Sequence, residues 1–475
     1  MFTSLWFFAL LGGAALARFR LPGVPYWKIV LAVSLVGFAA VTPGGLVAAV
    51  GSTAAVWQCA RRLERARQAA PGTARAGRGW LLSGGAACLA PLAAFKYLGL
   101  GSLVLPGGGS LRWLVPLGLS YYSLQLLGYL LDVQNGRLPA EPRFGRLLTY
   151  ALFFLSITQG PFNRYDDLMP QLDAPCAWEP RRLSFGLQRM AWGYFQKFAV
   201  ADRLAICADA IFSGYAGMDA SQLVFGVLAY SIQLYADFAG YTNLALGAGE
   251  LLGLRLPENF VQPYFAQSVS DFWRRWHRSL SFWFRDYVYI GLGGNRRGLA
   301  CQLRNLLAVW VLTGIWHGAG TGFLAWGLYY FVLLAASRLA FGGKGKNEPA
   351  PGWLRALRAL RTSALACFGW LLFRAGTLGA AAAYLRAMAA NPGGGVFARY
   401  WEMGLTSRTE LLLLFAGVAL LFAVDLLHER GHALRAELAS RALPVRWAVC
   451  EFSLWAFLLM GVCLSGGSGF LYARF

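Results

Sequence analysis

Residues 271–298 read DFWRRWHRSLSFWFRDYVYIGLGGNRRG, and this stretch decides the fold prediction. Its bulky apolar side chains recur three or four residues apart, which places them on one face of a helix. They are Trp273, Trp276, Leu280, Trp283 and Tyr287. Arginines occupy the other side, at Arg274, Arg278 and Arg285. A helix this charged does not cross hydrocarbon, so we expect it to lie at, or dip into, a membrane interface.

The second part of the stretch, NLLAVWVLTGIWHGAGTGFLAWGLYY at residues 305–330, is an apolar run that breaks in its middle. His317 stands at the break, followed by Gly318, Gly320 and Gly322. Helix breakers at membrane depth are tolerated only where the backbone is buried in protein or lines a cavity. An ionisable residue at such a break is a candidate functional residue. The alternative is a core histidine bonded to a backbone carbonyl.

The composition predicts an all-α, polytopic integral membrane protein. Of the 475 residues, 57% are hydrophobic and 14% are charged, whereas soluble proteins carry about 25% charged residues. Continuous apolar runs favour helices over the alternating pattern of a barrel. We expect about eleven or twelve crossings of roughly 20 residues, plus re-entrant or interfacial helices. No linker is visible, so residues 1–475 are predicted to form a single domain.

The formal net charge of +21 arises from arginine clusters between the apolar runs. That placement is typical of cytoplasmic loops and of contacts with anionic lipid headgroups, and it argues against nucleic-acid binding. The stretch from Arg61 to Arg78 is the most basic loop and is predicted to be cytoplasmic. Arg18 and Arg20 follow the first apolar run, and no positive side chain precedes it. The N-terminus is therefore expected outside the cytoplasm.

Polar residues interrupt the apolar runs between 147 and 260. Asp237, Tyr241 and Asn243 are the clearest examples. Such residues are costly in hydrocarbon unless they face a wet cavity or the bundle interior. They therefore indicate either a polar tunnel or hydrogen bonds between helices.

His428-Glu-Arg-Gly-His432 fits the H-E-x-x-H pattern of zinc proteases, with both histidines predicted on one helical face. An intramembrane metalloprotease centred on these residues is therefore a second functional hypothesis. The pattern stands where an apolar run gives way to arginines, which favours a basic connecting segment instead. We assign no metal to the protein.

Several sequence blocks together are similar to the membrane-bound O-acyltransferase (MBOAT) family. The two central blocks are FWRRWHRSLSFWFRDYVYIGLGGNRRG at 272–298 and LTGIWHGAG at 312–320. Others are LSYYS at 119–123, QGPFNRY at 159–165, QLYADFAGY at 233–241 and PENF at 257–260. The resemblance covers about 115–335. It points to the bacterial branch that O-acetylates alginate, peptidoglycan and cellulose, with the teichoic acid D-alanine exporter as a close relative.

The resemblance implies a helical ring with a central tunnel, in a multi-pass protein of the bacterial plasma membrane. The implied activity moves an acyl group, acetyl rather than D-alanyl, from a cytoplasmic thioester to a hydroxyl of a cell-surface polysaccharide. The donor would be acetyl-CoA or an acyl-carrier protein, with no permanently bound cofactor. An extracytoplasmic partner, expected to be an SGNH-type acyltransferase, would complete or accept the transfer.

The resemblance also assigns residues. The family's invariant histidine falls on His317, and its second, supporting histidine falls on His277. We hypothesise that His317 is the general base, since an imidazole titrates near neutrality, and that His277 orients the acceptor or the thioester. Four residues are predicted to line the approach: Asp237, Tyr241, Asn243 and Trp316. The coenzyme A pyrophosphate or lipid headgroups would bind Arg274, Arg275, Arg296 and Arg297.

A third hypothesis, besides the acyltransferase and the metalloprotease, is a transporter. Broken helices with polar residues near the midplane also build substrate paths through membranes.

Overall fold

The structure is a computed structural model that describes residues 5–21, 23–70, 77–98, 115–342, 351–396, 398–448 and 451. Within these ranges the chain is helical, with two π-helices and no β-strand. The prediction of an all-α protein is confirmed. The chain divides into two compact units, residues 1–187 with 245–257 and residues 188–244 with 258–475. The single domain over 1–475 stays a prediction.

The helices follow the apolar runs. The first part of the chain contains α1 (Leu5–Arg20), α2 (Tyr26–Val41), α3 (Pro43–Ala69), α4 (Arg78–Lys96), α5 (Leu119–Gln134), α6 (Phe144–Ala151) and α7 (Tyr165–Asp173). The middle contains α8 (Pro180–Tyr194), a π-helix (Phe195–Ala201), α9 (Asp202–Ser213) and α10 (Ala220–Leu251). The remainder contains α11 (Val269–Arg275), α12 (Arg278–Trp283), a second π-helix (Phe284–Tyr289), α13 (Gly298–His317), α14 (Thr321–Phe341), α15 (Gly352–Ala375), α16 (Leu378–Ala390), α17 (Arg408–Glu429) and α18 (Leu434–Ala439).

Five helices in the described ranges are long and apolar enough to cross a membrane. They are Ala220–Leu251, Gly298–His317, Thr321–Ala340, Gly352–Ala375 and Arg408–Glu429. The chain is therefore a polytopic membrane protein. The total of eleven or twelve crossings, the helical ring and the central tunnel stay predictions. The sequence also predicts a helix at about 445–464, and this range lies largely outside the described residues.

In the first unit, α3 packs against α4, α5 and α6. The prediction of a basic loop over Arg61–Arg78 is wrong for the first half of that range, because α3 continues through Arg61 and Arg67 to Ala69. Arginine, alanine, leucine and glutamate are good helix formers, so the helix outlasts its apolar part. Arg67 Nη1 then donates to the Val133 carbonyl at 2.5 Å, near the end of α5.

In the second unit, the central stretch is not the continuous helix that its periodicity predicts. It is divided into α11, α12 and the π-helix, and His277 at the first break adopts φ 43° and ψ 52°. Two backbone bonds hold the break, from the Arg278 N–H to the Asn259 carbonyl and from the Val261 N–H to the Arg275 carbonyl, both at 3.0 Å. Tertiary hydrogen bonds therefore override the helical periodicity at this point.

Helices α13 and α14 form a hairpin whose packing depends on glycine. A Cβ at Gly314 would lie 2.7 Å from the Phe323 carbonyl oxygen, so the two backbones meet without a side chain between them. The Gly322 N–H donates to the Gly376 carbonyl at 2.8 Å, just beyond the end of α15. These contacts place the end of α13, at His317, against α14 and α15.

Residues 391–404 are tied to the start of α10 by the buried carboxylate of Asp219. That group accepts hydrogen bonds from the Ser221 hydroxyl at 2.6 Å and the Gln222 N–H at 3.1 Å. It also accepts from the Gly395 N–H at 3.0 Å and from Arg399 Nη2 at 2.6 Å. Burial alone would raise the pKa of Asp219, but these hydrogen bonds outweigh it and lower the pKa below its usual range.

We predict that Gly322→Ala destabilises the protein by about 1–3 kcal/mol, the usual cost of overpacking. The added Cβ would lie 2.5 Å from the Gly376 carbonyl carbon, which is backbone and cannot rotate away. The measurement is the thermal unfolding midpoint in detergent. Gly379→Ala in α16 is the matched control, because nothing lies within 4 Å of its added Cβ. Equal unfolding midpoints for the two variants would refute the close contact.

We predict that Asp219→Asn removes an acid-dependent part of the stability. Because the folded-state pKa is lowered, the stabilisation is complete above the unfolded pKa of about 4. It is lost as pH falls from there toward the folded-state value. Unfolding midpoints in detergent, measured between neutral and acidic pH, should fall more steeply for the wild type than for the variant. Parallel curves would contradict the assignment.

Candidate functional site

His277 lies between α11 and α12, and its side chain is 1% exposed. Its Nδ1 is 3.1 Å from the Asn259 side-chain oxygen. The same oxygen accepts from the Ser279 N–H at 3.2 Å and from the Ser279 hydroxyl at 2.9 Å. The imidazole ring also meets the Phe238 ring edge to face, with centroids 4.7 Å apart. A buried amide therefore holds one side of the ring, and the Phe238 ring packs against it.

His317 is the last residue of α13 and is 3% exposed. Its ring makes edge-to-face contacts with Trp316, Trp326 and Phe373, at centroid distances of 4.9, 5.1 and 5.2 Å. The ring is thus enclosed by side chains of α13, α14 and α15. The carbonyl end of α13 carries the negative end of the helix dipole, which stabilises positive charge placed there.

Both histidines line one cavity of about 250 Å³. Five indoles form much of its wall: Trp273, Trp276, Trp310, Trp326 and Trp370. Its more polar side chains are His277, Ser281, Arg285, Tyr289, Thr313 and His317. Along α13 the lining extends from Leu306 to His317, about 16 Å at the helical rise per residue. The cavity is therefore apolar and elongated, and it brings together the two histidines that the sequence singled out.

The predicted anion-binding arginines differ in their surroundings. Arg275 is neutralised by two carboxylates, Asp271 at 3.1 Å and Glu429 at 2.6 Å, so it ties α11 to α17. The Arg274 side chain is 67% exposed and lies 3.9 Å from Asp271. Arg285 also lines the cavity and pairs with Asp286 at 2.6 Å. Exposed guanidinium groups are the better candidates for binding phosphate.

Arg296 and Arg297 are exposed on the loop that leads into α13. The side-chain amide of Asn305 in α13 holds this loop in place. Its NH2 group donates to the carbonyls of Gly294 at 3.0 Å and Leu292 at 3.3 Å. Gly294 itself has a φ of 59°, a conformation that glycine adopts without strain. The loop is thus held in place while its two arginines face outward.

Asp237 belongs to a buried ion cluster. The Lys197 ammonium lies 2.7 Å from Asp202 and 2.8 Å from Asp237, and all three side chains are less than 10% exposed. The same ammonium lies 5.3 Å from the centre of the Tyr241 ring. Buried charges of opposite sign compensate each other's desolvation only when they are closely paired, as they are here.

Asn243 belongs to a neighbouring series of hydrogen-bonded polar side chains. It accepts from Arg189 Nε at 3.0 Å and donates to Gln196 at 2.8 Å. None of Asp237, Tyr241 and Asn243 is among the residues that line the cavity of the two histidines. Trp316 contacts His317 from outside that lining. A role for these four residues in the approach of substrate stays a prediction.

The predicted geometry of the H-E-x-x-H pattern is wrong. Helix α17 ends at Glu429, and Gly431 turns the chain with a φ of 90°. His428 and His432 therefore do not share a helical face, and His432 Nδ1 lies 3.2 Å from Glu437 instead. Among the described residues, no group of three or more histidine, cysteine or acidic side chains is placed to hold a metal ion.

Two residues of this site, Asn259 and Arg285, are not predicted by the sequence pattern. Asn259 stands in the PENF block, but it lies 18 positions before His277 and in no common helix, so no local sequence pattern links the two residues. For Arg285 the sequence predicts only a place on the charged face of a helix. The π-helix from Phe284 to Tyr289 brings it to the cavity wall, and single π turns frequently occur at functional sites.

Comparison with known proteins agrees with the resemblance. The probable alginate O-acetylase AlgI of Pseudomonas putida is 36% identical over 318 residues, which are 65% of this chain and 64% of that protein. The peptidoglycan O-acetyltransferase of Helicobacter pylori is 33% identical over 306 residues, 59% and 58% of the two chains. This chain thus covers slightly less than two thirds of those relatives. The teichoic acid D-alanyltransferase of Bacillus subtilis is 30% identical over 273 residues, 54% of this chain and 68% of that protein.

The sequence model of MBOAT, the membrane-bound O-acyltransferase family, matches residues 110–344. This range contains the predicted core at about 115–335, both histidines and the cavity wall from α11 to α14. The chain belongs to the membrane-bound O-acyltransferase family.

Proposed function

We propose that the protein transfers an acyl group, acetyl in the first instance, from a cytoplasmic thioester to a hydroxyl of an extracytoplasmic cell-surface polysaccharide. The observation that carries this proposal is the shared cavity of His277 and His317, walled by indoles. The named activities of the relatives, O-acetylation of alginate and peptidoglycan and D-alanylation of teichoic acid, support the same reaction class.

In the proposed reaction, the acceptor hydroxyl oxygen attacks the thioester carbonyl carbon. His317 takes the hydroxyl proton as the new C–O bond forms, since a neutral imidazole is a base near neutral pH. The position of His317 at the carbonyl end of α13 stabilises the resulting imidazolium. When the C–S bond breaks, the same proton passes to the departing thiolate, so the imidazole is regenerated. The dry aromatic wall strengthens these electrostatic interactions by keeping water out.

The length of the cavity along α13 suits the narrow, extended part of the donor that carries the thioester. That donor would be either acetyl-CoA or an acyl-carrier protein. With the acyl carbon near His317, this extended part would run toward Leu306, Arg285 and Tyr289. The donor's phosphate groups would then meet exposed guanidinium groups, Arg285 at the wall and Arg296 and Arg297 on the neighbouring loop. Arg275 is excluded from this role because two carboxylates already pair with it.

The location and the partners follow from the same reaction. We place the protein in the bacterial plasma membrane with its N-terminus outside, because arginines follow the first apolar run. Membrane lipids surround its apolar helices. An extracytoplasmic protein, of SGNH type, would receive the acyl group or pass it to the polymer.

We predict that His317→Ala lowers the rate of acyl transfer by about 100-fold or more, the usual contribution of a general base. His277→Ala should also lower it strongly, because both imidazoles face one cavity. The measurement is thioester consumption together with acylation of the polymer by membranes containing the partner. His428→Gln/His432→Gln is the control and should keep full activity. Loss of activity in that control alone would favour the metalloprotease, and full activity in all three would favour the transporter.

We predict that Arg296→Gln/Arg297→Gln raises KM for the donor several-fold with little change in kcat. Each exposed contact between a guanidinium and a phosphate contributes at most about 1 kcal/mol at moderate ionic strength. The effect should shrink with added salt, because exposed charges are screened. Arg355→Gln/Arg358→Gln removes the same charge from α15 and should leave KM unchanged. Equal KM values for the two double variants would exclude the loop as the phosphate site.

A further inference from the structure

The orientation of the Asn259 side-chain amide is determined by its neighbours. Its oxygen lies 3.2 Å from the Ser279 backbone nitrogen, and a backbone N–H can only donate. The atom placed there must therefore be the amide oxygen, because the NH2 group would set two donors against each other. Asn259 is 0% exposed, so water does not compete for this oxygen.

The amide oxygen in turn determines where His277 carries its hydrogen. Nδ1 lies 3.1 Å from that oxygen, which is an acceptor and has no hydrogen to give. The hydrogen must be on Nδ1. In a neutral imidazole the lone pair is then on Nε2, so His277 can accept a hydrogen bond or a proton through Nε2 but cannot donate one there.

We propose that Asn259 is a positioning residue, which fixes His277 in its Nδ1–H tautomer so that Nε2 accepts a hydrogen bond from a second hydroxyl of the polysaccharide acceptor. The attacking hydroxyl gives its only hydrogen to His317. A thioester carbonyl offers only an acceptor, so this tautomer selects a hydroxyl over the thioester as the group that His277 orients. The inference rests on the proposed acyl transfer for its consequence, but the tautomer itself is a property of the resting protein.

Asn259 also holds the backbone conformation at His277. His277 adopts a left-handed conformation, which is sterically unfavourable for a residue other than glycine. The Asn259 carbonyl accepts from the Arg278 N–H at 3.0 Å, so one residue holds both the backbone and the ring at this break. Strain of this kind persists only where surrounding contacts compensate it.

The tautomer can be measured directly, because the chain contains only four histidines. Full-length protein in detergent is labelled with ¹⁵N-histidine in the His428→Gln/His432→Gln background, which leaves His277 and His317. His277→Gln assigns the remaining signals. At a pH above the ordinary imidazole range, His277 should show a protonated Nδ1 and an unprotonated Nε2. A hydrogen found on Nε2 overturns the proposal.

Variants of Asn259 test the consequence for activity. Asn259→Ala should lose the tautomer preference and lower the rate of acyl transfer by about 10-fold to 100-fold, as for other partners that orient a functional imidazole. Asn259→Asp keeps the acceptor oxygen, so it should keep the Nδ1–H tautomer and restore most of the rate. Its carboxylate stabilises the imidazolium, and the acid limb of the pH profile should therefore move to higher pH.

Gln222→Ala is the matched control, because it removes another fully buried amide, in the Asp219 cluster, and should leave the rate per folded molecule unchanged. If Asn259→Ala keeps both the tautomer and the rate, the positioning role is refuted. If the tautomer is as proposed and wild-type protein consumes no thioester, the proposed function fails while the assignment of the hydrogen stands.

Discussion

Contact between backbones without intervening side chains is the constraint on which the candidate site depends. Gly314 meets the Phe323 carbonyl, and Gly322 meets Gly376 beyond the end of α15. Both contacts require the absence of a Cβ. They allow α13 to stop at His317 inside the second unit, with its last ring enclosed by α14 and α15. Without these two backbone contacts, the apolar run by itself would not place the His317 imidazole at the wall of a cavity.

The indole rings then supply the apolar surroundings that the proposed reaction needs. Trp276 and Trp326 are 1% exposed, and Trp370 is 2% exposed. Their rings interlock at centroid distances between 4.7 and 6.1 Å, so the wall is rigid as well as apolar. Charge that develops on a thioester oxygen in such a place interacts mainly with groups already oriented toward it. The two imidazoles that line this wall are the groups to which we assign the proposed chemistry.

Charged groups in the second unit differ in whether a carboxylate is paired with them. Lys197, Asp202 and Asp237 form a buried ion cluster, while Arg275 is held between Asp271 and Glu429. These groups stabilise the arrangement of helices. Arg296 and Arg297 lie exposed on a loop that Asn305 secures. Charge count alone does not separate structural arginines from those available to a ligand, whereas the distribution of carboxylates does.

Much of this protein could be predicted without coordinates. The apolar runs determined its helical, membrane-spanning character, and the glycine-flanked break marks His317 as a candidate functional residue independently of any family likeness. The family blocks added His277. Hydrophobic periodicity reports only local geometry, so it described 271–289 as one helix and placed His428 and His432 on one face. It also had no means to find Asn259, whose partner is 18 residues away.

Tertiary structure decided the rest, because hydrogen bonds and close backbone contacts between distant segments leave no periodic trace in a sequence. They broke the central helix at His277, fixed the amide that faces its ring and joined Asp237 to Lys197 in a buried ion cluster. The sequence by itself determined the helical, membrane-spanning character and singled out the residues to which we assign the chemistry. The folded chain decided which of them meet.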